Sequence, residues 1–167
     1  MRRNSVRRPC DSDISDDTNW IPNSRIQTAI RGFSANNILV VADSCFSGFI
    51  TRGVSLADST MDYKSIEDLP LEALDSLVNK RTRVAISSGN LQPVLDSLPG
   101  QDNSVFALAF INALKEVEDI GLTTDIYEKV SSAVYRSLSG TGVAQNPQFS
   151  SLQQARHESG DFLFFRQ

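Results

Sequence analysis

The sequence predicts one α/β domain in which a mostly parallel sheet is flanked by helices. Short apolar runs rich in β-branched residues, without apolar–polar alternation, are typical of strands that are buried on both faces of a parallel sheet. The segments between these runs carry apolar residues at helical spacing, which predicts the covering helices. The length of 167 residues suits a single domain with its own hydrophobic core.

The domain is expected to start after a short tail. Residues 1–8 contain four arginines and no periodicity, which predicts a disordered basic tail ahead of a domain over residues 9–167. Asn23 or Ser24 can cap the first helix. That helix is predicted from four apolar residues at helical spacing: Ile26, Ala29, Ile30 and Phe33.

Residues 38–42, Ile-Leu-Val-Val-Ala, predict the central strand of the sheet. Asp43, Ser44 and Cys45 follow at its carboxyl end, where open α/β sheets place their ligand sites. Residues 49–68 then mix glycine, serine, threonine and charge with little periodicity, which predicts a long surface loop.

Further elements are predicted beyond this loop. Pro70 opens a short amphipathic helix, and residues 83–89 form a second buried strand that ends in small residues. A helix over residues 104–117 and a second one from Thr123 or Thr124 follow. Their apolar stripes are expected to face the core: Phe106, Phe110, Ala113, Leu114, Val117, Ile126, Val130 and Val134.

Cys45 is the candidate catalytic residue. At the carboxyl end of a buried strand it lies at the mouth of a cleft, where a thiolate can act as a nucleophile. The alternative is a structural role, because free cysteine is among the most buried residue types. The neighbouring residues favour the catalytic interpretation.

The stretch Asp-Ser-Cys-Phe-Ser-Gly at residues 43–48 resembles the nucleophile motif of the caspase-like cysteine peptidases, in particular of their metacaspase-like and bacterial branch. The resemblance extends from about residue 9 to the C-terminus. Further segments carry it: the acidic loop that ends in Trp20-Ile21, Ser-Ser-Gly at 87–89, Ser-Val-Phe at 104–106, Asn-Pro-Gln-Phe at 146–149 and Gly-Asp-Phe-Leu-Phe-Phe at 160–165. Phe46 departs from it, since many metacaspases have histidine there.

The resemblance implies a caspase-like sheet and an endopeptidase that cleaves proteins or peptides after Arg or Lys through an acyl-thioester at Cys45. Asp43 is the candidate for binding the basic side chain, because a carboxylate in a pocket prefers a cationic partner. Ser87 is a second candidate for the same pocket, and capping of a nearby turn is the alternative role of Asp43. The resemblance places residues 49–68 at the loop between the large- and small-subunit halves of the family, which is commonly cleaved during activation. Arg52 and Lys64 lie in this loop, and their roles are either a cleavage site or ordinary solvated surface.

The catalytic histidine is missing from its expected place. The family keeps it about 50 residues before the cysteine. The single histidine here is His157, which precedes the last strand and is expected to be a structural or surface residue. The chain therefore resembles the C-terminal two-thirds of a caspase-like domain with its early strands missing. This predicts an exposed sheet edge and self-association through it. A catalytically dead fragment or an interaction module is the alternative function.

Composition narrows the choice of partners. A net charge of −4 offers no basic surface for nucleic acid or anionic membranes, and no apolar run approaches the roughly 20 residues of a membrane helix. Cys10 and Cys45 are too few for a disulfide framework and show no metal-ligand spacing with His157, so we expect no metal or other cofactor and a reducing, cytoplasmic setting. A redox function is disfavoured because the sequence has no Cys-x-x-Cys pair.

Overall fold

The computed structural model describes residues 6–7, 21–45, 70–89, 101–158 and 160–166. Helices and short strands alternate through these ranges. In chain order they are β1 (Val6–Arg7), β2 (Ile21–Pro22), α1 (Asn23–Gly32), β3 (Asn37–Cys45), α2 (Leu71–Asn79), β4 (Thr82–Gly89), α3 (Val105–Lys115), β5 (Ile120–Leu122), α4 (Thr123–Leu138), β6 (Gln148–Ser151), a 3-10 turn (Gln153–Ala155) and β7 (Leu163–Phe165).

The main sheet has the strand order β3-β4-β6. Strands β3 and β4 are parallel, and β4 and β6 are antiparallel. Two further antiparallel pairs, β1 with β2 and β5 with β7, complete the described strands. The prediction of an α/β fold is therefore confirmed, but the described sheet is mixed and not mostly parallel.

Chain connectivity explains the direction of β6. Among the described residues, one helix, α2, lies between β3 and β4; a single helix returns the chain to the start of the first strand and permits a parallel pair. Between β4 and β6 the described residues form the two long helices α3 and α4 with the short β5 between them, and this pair returns the chain to the end at which β4 stops, so that β6 runs back along β4. The four residues of β6, Gln-Phe-Ser-Ser, carry no signal of strand direction, so the sequence did not reveal this reversal.

The position of β3 also differs from the prediction. The sequence indicated a central strand at residues 38–42, but within the described ranges β3 has β4 as its single neighbour and β4 is central. Every residue of β4 is buried, whereas Val41 on β3 is 41% exposed. The outer edge of β3 therefore has no strand partner among the described residues.

Apolar side chains cover both faces of the main sheet. On one face, here called the α3/α4 face, Val84 and Ile86 of β4 pack with the stripes of α3 and α4. On the opposite face, the α1 face, Ala42 and Ala85 pack with Ile30 of α1. The predicted stripes of the two long helices are confirmed, since all their members are buried in the α3/α4 cluster or packed against it. Phe33 is 58% exposed, because α1 ends one residue earlier, at Gly32.

The two long helices begin in different ways. Ser104 is the N-cap of α3, at the start predicted for that helix, and its Oγ accepts a hydrogen bond from the Ala107 N–H. Helix α4 begins at Thr123 after Leu122, which provides no side-chain cap. The buried Asp161 carboxylate replaces it by accepting from the N–H and the hydroxyl of Thr124. The prediction that Thr123 or Thr124 caps α4 is therefore wrong. The hydrogen-bond acceptor at the start of α4 is Asp161, which lies 37 positions from Thr124 in sequence.

Some predictions concern other parts of the chain. Within the tail that was expected to be disordered, Val6–Arg7 pairs with Ile21–Pro22. The loop at residues 49–68 and Phe46 lie outside the described residues. The part of the chain that the structure describes contains no helix long and apolar enough to cross a membrane.

Candidate functional site

The candidate site lies at the carboxyl ends of the parallel strands β3 and β4. Ala42 is paired with Ser87 and Cys45 with Gly89, so that Asp43 and Ser44 together lie opposite the single residue Ser88. Two residues opposite one constitute a β-bulge, which bends a strand and redirects its side chains. The predicted nucleophile position therefore directly follows an irregularity in β3.

Asp43 contacts the start of helix α3. The Ser104 hydroxyl donates a hydrogen bond of 2.5 Å to Asp43 Oδ2, while its oxygen accepts from the Ala107 N–H at 2.9 Å. Asp43 itself is exposed. A carboxylate at a helix N-terminus is favoured by the helix dipole and by the unpaired N–H groups of the first turn. Asp43 is thus held at one oxygen and remains accessible to solvent.

Ser87 does not lie on the same face of the sheet as Asp43. Its hydroxyl is buried and donates to the carbonyl oxygen of Gly89 at 3.1 Å. Side chains alternate between the faces of a strand, and Ser87 follows Ala85 on the α1 face. Asp43 instead contacts α3 on the opposite face. The structure therefore does not bring the two predicted specificity residues together.

Ser88 and Gln145 are polar residues near the bulge that were not among the predicted site residues. Ser88 lies opposite the bulge and follows Ile86 on the α3/α4 face, which is also the face of Asp43. Gln145 Nε2 donates to the Ser88 carbonyl oxygen at 2.9 Å, and Gln145 is 6% exposed. Ser88 Oγ and Gln145 Oε1 are buried without a hydrogen-bond partner among the described residues. The position of Gln145 directly before the Asn-Pro-Gln-Phe segment was the available signal.

His157 lies at the other end of β4. Its Nδ1 accepts a hydrogen bond of 3.1 Å from the Arg83 N–H, which requires the neutral ring. Burial lowers the pKa of His157, and the nearby Glu158 carboxylate partly offsets that effect. Arg83 and Gly89 are six residues apart in β4, which is about 20 Å in a strand. Because Gly89 pairs with Cys45, His157 is far outside the reach of a general base for that cysteine.

The segment Gly160–Phe162 is structural. Gly160 is buried against the end of α2 and the start of β4. The Asp161 carbonyl accepts a hydrogen bond from Thr82 Oγ1, and the Phe162 carbonyl accepts one from Thr123 Oγ1. This part of the resemblance therefore joins β4 to α4 and contributes no chemical group to the candidate site.

Two surface grooves of about 300 and 540 Å³ lie along α4. The larger is lined by Ser131, Ser132, Tyr135, Arg136, Gln145 and Asn146. Neither groove is lined by Asp43 or Ser87. No group of His, Cys, Asp or Glu side chains within the described ranges is arranged to hold a metal ion.

For Cys45 the structure describes the backbone, and its side chain lies outside the described residues. The described chemical group of the site is therefore the Asp43 carboxylate, which is accessible to solvent and is held by Ser104, the N-cap of α3. It lies two residues before Cys45. Comparisons of the chain with protein-family models, with curated proteins and with solved structures give no match, so membership of the caspase-like family stays a prediction.

Proposed function

We propose that this chain is a caspase-like cysteine endopeptidase domain that cleaves proteins or peptides after Arg or Lys. Cys45 is the proposed nucleophile and Asp43 the proposed receptor for the basic side chain. The Cys45 sulfur attacks the carbonyl carbon of the substrate, the C–N bond breaks, and the amine leaves with the proton that the thiol gives up to solvent and the nitrogen takes from solvent. Water then hydrolyses the thioester, which releases the carboxylic acid and restores the thiol. The proposed function needs no cofactor.

The arrangement of the strand ends supports this proposal. Cys45 is the last residue of β3, in register with the end of the parallel strand β4. This is the edge of a parallel pair at which α/β proteins bind their ligands. Asp43 is exposed beside it and has Ser104 as its neighbour, so a cation can approach the carboxylate from solvent. The bulge between Ala42 and Cys45 adds to the support, since bulges are enriched next to active sites.

Two observations favour the alternative of an interaction module. His157 is used at the opposite end of β4 and leaves the chain without a histidine near Cys45. The outer edge of β3 has no strand partner among the described residues, and such an edge can receive a strand from another protein. In this alternative the fold is retained and Cys45 is an ordinary thiol.

Labelling kinetics separates the two functions. The full chain carrying Cys10→Ala has Cys45 as its single thiol, and its reaction with a peptidyl-arginyl chloromethyl ketone can be followed by intact mass. The peptidase predicts that Cys45 reacts at least about tenfold faster than a cysteine in an unstructured peptide at neutral pH, because an activated site holds more thiolate. Cys45→Ala with native Cys10 is the control for labelling elsewhere. A folded chain whose Cys45 reacts no faster than the free peptide would contradict the peptidase and favour the interaction module.

A further inference from the structure

We propose that Ser104 is a positioning residue that fixes the Asp43 carboxylate for a basic side chain. The inference rests on the proposed function and adds a specificity determinant that lies 61 residues from Asp43 in sequence. Ser104 touches neither the substrate nor Cys45 in this role. It acts through the hydrogen bond that it donates to Asp43.

The hydroxyl of Ser104 has a fixed direction. A serine hydroxyl has one hydrogen to donate and two lone pairs that can accept. The Ala107 N–H occupies a lone pair at 2.9 Å, as the N-cap geometry of α3 requires. The hydrogen is then directed to Asp43 Oδ2. The first turn of α3, which is anchored by the buried Val105 and Phe106, thereby determines the orientation of an exposed carboxylate.

This arrangement leaves one oxygen of Asp43 for a ligand. Oδ2 accepts from Ser104, and the structure gives Oδ1 no partner among the described residues. An exposed side chain that is free to rotate loses rotamer entropy when it binds, whereas a side chain that is already held loses less. Ser104 therefore raises the affinity of Asp43 for a guanidinium or ammonium group without contacting that group.

The competing explanation is that Asp43 and Ser104 only stabilise the start of α3. Substitutions at residue 104 distinguish the two roles. Threonine keeps both the cap and the donor. Alanine removes both, and glycine removes the donor while weakening an N-cap only slightly. Ser104→Gly thus tests the contact with Asp43 while α3 keeps its start.

The measurement is the ratio of two labelling rates at Cys45, in which any change in the reactivity of the thiol itself cancels. Cys45 in the Cys10→Ala chain is labelled with peptidyl-arginyl and peptidyl-citrullyl chloromethyl ketones, which differ in the charge of one side chain. We expect a preference of about tenfold or more for the arginyl reagent, since a charge-assisted contact to an oriented carboxylate is lost with citrulline. Asp43→Asn should bring the ratio to about one, and Ser104→Ala and Ser104→Gly should each lower it about three- to tenfold. Ser104→Thr should keep the parent value.

The proposal is overturned if Ser104→Gly and Ser104→Ala keep the ratio of the parent while Asp43→Asn abolishes it. A second measurement does not depend on the reactivity of Cys45.

The affinity of the Cys45→Ala protein for N-acetyl-arginine amide and for N-acetyl-citrulline amide is measured by NMR titration, with the same substitutions at residue 104. An arginine preference that falls in Ser104→Gly supports the positioning role even if labelling contradicts the peptidase. The absence of any arginine preference in both measurements overturns the positioning role together with the specificity of the proposed peptidase.

Discussion

Replacing Gly160 by alanine should strongly destabilise the fold. A Cβ atom at this position would lie 2.7 Å from the Lys80 carbonyl oxygen and 3.0 Å from the Leu77 carbonyl oxygen, and still closer to Thr82 Oγ1. The two carbonyl oxygens belong to the backbone at the end of α2 and the turn into β4, which cannot rotate away. The added methyl group must therefore push the chain at residue 160 away from the sheet.

The cost has two parts. Inserting a methyl group into a closely packed site typically costs about 1–3 kcal/mol. Thr82 Oγ1 also donates a hydrogen bond of 3.1 Å to the Asp161 carbonyl oxygen in a buried environment, and losing that bond leaves a buried polar group unpaired, which costs about 1–3 kcal/mol. The free energy of unfolding should thus fall by about 2–5 kcal/mol, a large fraction of the stability of a typical domain.

Urea unfolding followed by circular dichroism measures this change, with the midpoint read at constant m-value. Gly32→Ala is the matched control, because a Cβ atom there has nothing within 4 Å and the residue ends helix α1, where alanine is neutral or stabilising by up to about 1 kcal/mol. In Gly121→Ala the new atom lies 2.9 Å from the Val117 side chain, so an intermediate effect is expected. A Gly160→Ala protein within about 1 kcal/mol of Gly32→Ala would refute the packing argument.

Two further predictions concern His157 and Asp161, whose pKa values are shifted by burial. Because burial lowers the pKa of His157 in the folded chain, the unfolded chain binds the proton more readily. The contribution to stability is full above the unfolded pKa of about 6.5 and is lost as the pH falls toward the folded pKa. Since His157 is half-buried and solvent screens it, the slope should be shallower than the limit of about 1.4 kcal/mol per pH unit. His157→Asn, which retains an acceptor for the Arg83 N–H and does not titrate, should remove this part of the pH dependence in urea unfolding between pH 5 and 7.5, and an unchanged slope would show that another group is responsible. Asp161→Ala should lower the free energy of unfolding by about 1–3 kcal/mol, because the N–H of Phe162 and the hydroxyl of Thr124 lose their acceptor. Burial raises the pKa of Asp161, so the neutral Asp161→Asn, which keeps one acceptor, should cost clearly less, and equal losses in the two variants would argue against this explanation.

Helical periodicity located the long helices well because it reports which side of a helix is buried. The apolar residues predicted for the buried sides of α3 and α4 are in the α3/α4 cluster or pack against it, and Ser104 caps α3 at the predicted start. Strands were less informative. The apolar runs at residues 38–42 and 83–89 identified β3 and β4, but such a run encodes neither strand order nor direction. The position of β3 beside β4 at the edge of the described sheet and the reversal at β6 were therefore not predictable.

In the candidate site, too, the features with a local sequence signal were predictable and the long-range contacts were not. The position of Asp43 at the end of a strand followed from the local sequence, because an apolar run followed by polar residues is a local signal. Its contact with Ser104 joins residues 61 positions apart, and no local pattern encodes such a pair. The hydrogen bond from Gln145 to the Ser88 carbonyl oxygen joins residues 57 positions apart and is likewise not encoded in a local pattern. The sequence does not show which of the adjacent residues Ser87 and Ser88 lies on the same face of the sheet as Asp43.

The geometry of the site depends on parts of the chain that carry no chemistry themselves. Ser104 holds Asp43 from the start of α3, and Gln145 holds the Ser88 carbonyl from the segment after α4. Both helices are packed on the same face of β4, and Asp161 secures the start of α4. A loosened α4 should therefore shift Gln145 and α3 together and disturb the bulge at Asp43 from the far end of the domain. For this reason Asp161→Ala should lower the arginine preference as well as the stability, whereas Gly32→Ala, at the end of α1 on the other face, should leave the preference unchanged.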